Sequence, residues 1–113
     1  MKIEYQYTRA SGRSEKVEEA LRLAIEATGA DAEVVYTEIQ DSEEAKARRC
    51  LGSPTVRVEG IDVEYGDREP EEYTSGGRYY NTPEGWKPYP HAKLIANTIV
   101  EVMHRAQKAK GAS

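Results

Sequence analysis

Leu51-Gly-Ser-Pro-Thr-Val-Arg-Val58 delivers a proline into the first position of an apolar strand. Proline lacks the N–H that a sheet ladder needs, so within a strand it is confined to the edge, a bulge or the first residue. Val56 and Val58 alternate with Thr55, Arg57 and Glu59, then Gly60 turns the chain into Ile61-Asp-Val63. That pattern predicts an antiparallel hairpin opened by Pro54.

Upstream, Ile3, Tyr5 and Tyr7 alternate with Glu4 and Gln6, a period of two that predicts a strand over about residues 2 to 8 with one face more buried than the other. From Ser14 onward, Val17, Leu21, Ala24, Ile25 and Thr28 recur at helical spacing, and Gly29 supplies the stop. Ala32-Glu-Val-Val-Tyr-Thr-Glu-Ile39 is a β-branched strand, and a strand-helix-strand run with so long a crossover implies parallel pairing. Asp41 with Glu44 is a capping-box pattern for a short helix in which Ala47, Cys50 and Leu51 share one face and which Gly52 ends.

Tyr65 to Pro90 holds four of the five prolines, four glycines, five tyrosines and Trp86, without sustained periodicity, and is expected to be a long irregular loop. Pro90 suits the first turn of a last helix with the stripe Ile95, Thr98, Ile99, Val102, Met103 and Ala106. Arg105, Lys108 and Lys110 complement its C-terminal dipole, and residues 110–113 are expected to fray.

At 113 residues the chain suits one domain with one modest core. A net charge of −4 argues against a nucleic-acid or acidic-membrane partner, because phosphate neutralisation needs clustered Lys and Arg. No apolar run approaches the ~20 residues of a membrane span, and Met1 leads directly into a strand pattern, so a cytoplasmic location is expected. Cys50 is the single cysteine, which leaves no internal disulfide and no two-thiol redox cycle. It reads as a small core hydrophobe rather than a reactive thiol. His91, His104 and scattered carboxylates lack metal-ligand spacing, so no metal and no cofactor are expected, and Glu69, Glu71 and Glu72 read as a solvated acidic patch.

The order β-α-β-α-β-β-α, with proline opening the third strand, resembles the thioredoxin arrangement over Lys2 to about Arg105. It is most similar to small thioredoxin-like bacterial proteins that read Gly-Cys-Pro-x-Cys-Glu after the first strand and Leu-Gly-Ser-Pro-Thr-Val/Ile-x-Val later. On that pattern Ala10-Ser-Gly-Arg-Ser-Glu15 matches in spacing only, with Ser11 and Ser14 standing where the cysteines would be, and Gly77-Arg78-Tyr79 stands where a late cysteine precedes an Arg and an aromatic. The resemblance implies an α/β domain with a four-stranded mixed sheet, two helices on one face and one on the other. It also implies a cis Ser53–Pro54 bond beside the start of the first helix, with the Ser53 backbone free to pair with a peptide.

A thiol redox pair works because a helix N-terminus lowers a thiol pKa so that thiolate exists at neutral pH. A serine hydroxyl there stays protonated and needs a general base, which neither histidine supplies. Ser11 and Ser14 therefore read first as caps of the helix. The leading functional expectation is a redox-inactive thioredoxin-like protein that recognises a peptide, a protein or a small ligand. Its binding residues would be Ser53, Pro54, Thr55, Arg13, Arg78, Tyr79 and Trp86, and an anion could sit at the helix N-terminus near Arg9 and Arg13. Two other readings stand: a thiol-disulfide oxidoreductase in a Cys-to-Ser form, or using Cys50 alone, and a structural subunit whose late loop builds a homodimer. The late tyrosines and Trp86 either cover one end of the core or form a binding surface.

Overall fold

The computed structural model describes residues 1–111. Its elements are β1 (Lys2–Thr8), α1 (Glu15–Thr28), β2 (Glu33–Ile39), α2 (Ser42–Ala47), β3 (Leu51–Ser53), β4 (Thr55–Val58), β5 (Ile61–Asp62), β6 (Thr74–Gly77), β7 (Tyr80–Thr82), β8 (Gly85–Lys87) and α3 (Ala92–Gly111). A four-stranded mixed sheet has the order β2-β1-β4-β5, with β1 and β2 parallel and β4 antiparallel to both β1 and β5. The parallel pair is joined by α1, as a crossover of this length requires.

Ile3 and Tyr5 on β1 lie opposite Val58 and Val56 on β4, so these four side chains share one face of the sheet. That face packs with Val17, Leu21 and Ala24 of α1 and Ile95 and Ile99 of α3 in the main core. On the other face Ile39 packs with Ala45 of α2 and with Cys50, whose thiol is buried although it lies beyond the helix and Ala47, expected to share its face, is exposed. Because β1 is central, its polar positions are covered too: Gln6 and Thr8 are buried, and the Gln6 amide donates to the Arg48 carbonyl at 2.9 Å. The second face of β1, expected to be the less buried one, is exposed at Lys2 and covered toward Thr8.

Local chemistry sets the element ends. Gly29 closes α1 in the left-handed region, its N–H donating to the Ile25 carbonyl. Asp41 Oδ1 accepts from the Glu44 amide at 2.8 Å while Glu44 Oε1 accepts from the Gln40 amide, a reciprocal cap on α2. Glu59 and Gly60, both at positive φ, make the tight turn between β4 and β5.

The short helix does not run to Gly52. It ends at Ala47, Arg49 reverses the chain at positive φ, and Leu51 opens β3. Gly52 lies within that strand for a steric reason: a Cβ there would stand 2.8 Å from Cβ of Arg78. The expected irregular loop over 65–90 is also corrected, since β6 pairs in parallel with β3, and β7 with β8 forms a hairpin. Short strands without alternating apolar residues leave no period to read. α3 begins at Ala92, with Pro90 before it and His91 Nδ1 accepting the Lys93 amide. After Val102 the helix leaves the core, so Met103 and Ala106 are exposed rather than part of the stripe. α3 continues through Gly111, and the remainder of the tail expected over 110–113 lies outside the described residues. Among the described residues no helix is long and apolar enough to cross a membrane.

Ile95 is fully buried between the sheet and α1. Ile95→Ala is expected to lower the unfolding free energy by about 2–5 kcal/mol, seen as a lower urea midpoint at unchanged m-value.

Candidate functional site

A cleft of about 330 Å³ opens where the end of β1, the start of α1, the β3–β4 junction and the β6–β7 junction meet. Ser11, Ser14, Ser53, Pro54, Gly77 and Tyr79 line it, with Tyr5, Gly12, Arg78 and Pro88 completing the wall.

The wall is built on Thr8. Its amide donates to Ser53 Oγ at 3.1 Å, its hydroxyl lies 2.9 Å from the Ser11 hydroxyl, and its carbonyl accepts from the Gly12 amide. These bonds fold residues 9–13 back over the strand end, with Gly12 at positive φ where the chain reverses. Ser14 then enters the N-cap position of α1 with extended backbone, and its amide donates to the Tyr5 hydroxyl at 2.9 Å. Its side chain makes no capping hydrogen bond, and the Ser11 hydroxyl is engaged with Thr8. The capping role expected of these serines is thus corrected: Ser14 holds the cap position through its backbone alone.

On the opposite wall the Ser53–Pro54 peptide is cis. Tyr80, fully buried, donates its hydroxyl to the Pro54 carbonyl at 2.6 Å. Burial pushes the Tyr80 phenol far above its usual range, so it remains a donor. The Ser53 carbonyl, expected to be open to a peptide, accepts from the Arg78 amide at 2.9 Å. The chain's own β6 fills that edge.

Arg78 makes the site's dominant electrostatic contact. Its two terminal nitrogens each lie 2.8 Å from an oxygen of Asp62, and its guanidinium sits 4.4 Å from the Tyr80 ring centroid. Burial raises the Asp62 carboxyl, but the Arg78 hydrogen bonds and charge, with the Tyr65 and Glu64 amides, outweigh it and hold Asp62 below the usual carboxylate range. Burial also acts against the Arg78 charge, and Asp62 more than restores it.

Three of the expected binding residues, Arg78, Arg13 and Thr55, therefore have other engagements. Arg78 borders the cleft but its guanidinium is committed to Asp62. Arg13 turns outward, 3.6 Å over the Tyr36 ring and bonded to Glu18, and Arg9 pairs with Glu38. Thr55 is buried, accepting from the Leu51 amide and donating to the Gly52 carbonyl. Trp86 lies on the β7–β8 hairpin outside the cleft lining, 67% exposed, while Tyr79 is 62% exposed at the rim. Ser53, Pro54, Tyr79, Ser11 and Ser14 do come together.

The acidic patch is also revised. Glu69 is drawn inward, its carboxylate shared by the buried Arg57 at 2.6 Å and by Arg49, with Tyr73 at 3.4 Å. Partial burial raises its pKa, but the two arginines outweigh that and leave it lowered. Asp62, Tyr5 and Pro88 were not candidates from sequence. Asp62 alone carried a signal, a lone acid between the apolar Ile61 and Val63. Among the described residues no group of three or more His, Cys, Asp or Glu could hold a metal ion.

The chain matches no protein-family model, no curated protein and no solved structure.

Since folding lowers the carboxyl pKa of Asp62 and Glu69, the stability each contributes is present above its unfolded value of about 4 and is lost as pH falls through the lower folded value. Urea midpoints are expected to hold between neutrality and pH ~5, then drop steeply below pH ~4. Asp62→Asn should flatten that acid limb while lowering stability at neutral pH. Separately, Tyr80→Phe leaves the buried Pro54 carbonyl without its donor, and a loss of about 1–3 kcal/mol by denaturant unfolding is expected.

Proposed function

We propose that this chain is a thioredoxin-like protein that has exchanged thiol chemistry for binding, and that the cleft between Pro54 and the start of α1 receives a segment of a partner protein. One observation carries the reading. Ser11, Ser14 and Gly77, which the resemblance aligns with three cysteines, line one cleft together with Ser53 and Pro54, although up to 66 residues separate them in the chain. The element order, with proline opening the strand antiparallel to β1, supports the same kinship.

Binding is favoured over catalysis by the residues at hand. Activating a serine requires a base within hydrogen-bond reach. The only titratable side chains in the wall are Tyr5, Tyr79 and Arg78. Tyr5 is kept protonated by burial, the amide of Ser14 opposing this only in part, and Arg78 is held by Asp62. His91 accepts a backbone amide at the start of α3. A one-cysteine oxidoreductase finds no accessible thiol, since Cys50 is fully buried with its Sγ 3.5 Å from the Gly52 carbonyl. The volume suits a short peptide portion or a small ligand, and the exposed Tyr79 at its rim favours a protein partner.

The kinship is tested with Ser11→Cys/Ser14→Cys in the full chain. Under mild oxidant the variant is expected to lose two accessible thiols and form an internal disulfide, counted by thiol titration and peptide mass. Two thiols that remain separately alkylatable, with no internal bond, would sink the proposed kinship.

A further inference from the structure

We propose that two copies of this chain associate through the outer edge of β2, which pairs antiparallel with itself across a two-fold axis at Val35 and joins the two four-stranded sheets into one. No residue of the cleft wall lies on β2, so this surface stands apart from the binding reading.

β2 is an edge of the main sheet and pairs with β1 alone. Its seven residues, Glu33-Val-Val-Tyr-Thr-Glu-Ile39, run in unbroken register and carry no Pro and no Lys, common devices against strand addition. The Glu33 amide donates to the Met1 carbonyl, which sets the phase of the parallel ladder. Glu33, Val35, Thr37 and Ile39 therefore turn their backbone groups toward β1, and Val34, Tyr36 and Glu38 turn theirs outward. Among the described residues those three amides and carbonyls find no partner in loops or side chains. The opposite edge of the sheet, β5, is two residues long, so sheets joined at β2 close as a pair rather than extend as a fibre.

Side-chain parity and charge select the register. In a sheet that continues across a two-fold axis, facing residues come from the same face, so the axis passes between two copies of one residue. An axis at Val35 sets Val34 opposite Tyr36 of the second copy, a β-branched residue against an aromatic one. The outward backbone groups of this pair and its symmetry mate make about four hydrogen bonds. Each edge carboxylate then falls opposite a neutral residue: Asp31 opposite Ile39, Glu33 opposite Thr37 and Glu38 opposite Ala32. Within each copy Glu38 is paired with Arg9, Glu33 has Lys2 beside it in the ladder, and Glu4 accepts from Thr37.

The flank of α1 points to the same axis. Arg13 lies over the Tyr36 ring and bonds to Glu18, so that flank overhangs the edge. Arg22 and Glu26, both exposed, follow Glu18 one turn apart. α1 runs opposite to β2, and the ~3.3 Å step from Tyr36 back to Val35 equals about two residues onward from Glu18. The axis thus passes between Glu18 and Arg22, and each faces the other on the second copy. An axis at Tyr36 would instead bring like charges together, Glu18 against Glu18 and Arg13 against Arg13.

The test uses the full chain. Light scattering across micromolar concentrations is expected to show a concentration-dependent dimer. Val35→Cys sets two thiols on a non-hydrogen-bonded pair with Cα atoms ~4.5 Å apart, a span that a disulfide bridges. Mild oxidant should therefore link this variant into a covalent dimer about tenfold faster than Val34→Cys or Tyr36→Cys. Val34→Pro removes an outward amide and no bond to β1, so it should give a monomer with an unchanged far-ultraviolet spectrum. Arg22→Glu should weaken the dimer about tenfold at low salt and less at high salt. A chain that stays monomeric throughout, or a dimer that Val34→Pro leaves intact, would overturn the inference. Preferential linking of Tyr36→Cys, the mark of the other register, would overturn it as well. Should Val34→Pro unfold, the Val35→Cys cross-link decides. None of these outcomes touches the reading of the cleft, which the Ser11→Cys/Ser14→Cys variant tests.

Discussion

The Arg78–Asp62 pair ties the late third of the chain to the central hairpin, and the cleft depends on that tie. Asp62 belongs to β5 and Arg78 follows β6, so one bidentate contact fixes where β6 lies against β3 and where Tyr80 reaches Pro54. Such a pair is costly to desolvate, and a buried apolar substitute of the same shape can be equally stable. Its value here is geometric. A planar guanidinium facing a carboxylate admits one orientation, whereas a greasy contact would admit several.

The same economy recurs at Glu69, which gathers Arg57, Arg49 and Tyr73 at the other end of the segment. A stretch rich in Glu and Gly has little apolar surface to bury, so it cannot be held by hydrophobic packing alone. Two charged clamps and the short β3–β6 ladder serve instead. This explains how a polar segment, with four exposed or half-exposed small residues at its centre, lies in a defined place on the rim of the cleft.

Much of the architecture was legible because it rests on periodicity. Ile3 and Tyr5, the spacing of Val17, Leu21 and Ala24, and the Val56/Val58 alternation are local records of a buried face, and each reports its element without knowledge of the rest. The convergence of Ser11, Ser14, Ser53 and Pro54 was legible from the likeness of two short motifs. Partners joined across distance were not. Nothing near Arg78 in sequence announces Asp62, and nothing near Ser53 announces that residues 74–77 will cover its edge. Gly52 was misread for the same reason, as a helix stop, because the atoms that leave no room for a Cβ there lie 24 to 26 residues away, the carbonyls of Gly76 and Gly77 and the Cβ of Arg78.

A chain with eight tyrosines and no phenylalanine has put that preference to use at the cleft. Tyr5 and Tyr80 are the largest fully buried side chains of the main core, and each ends in a hydroxyl bonded to the backbone of one cleft wall, at Ser14 and at Pro54. The rings are packed as core and the oxygens act as pins, so neither wall can shift without turning a ring against its neighbours. The shape of the cleft is thereby tied to the core, and removing either hydroxyl would free one wall while leaving the packing of its ring in place.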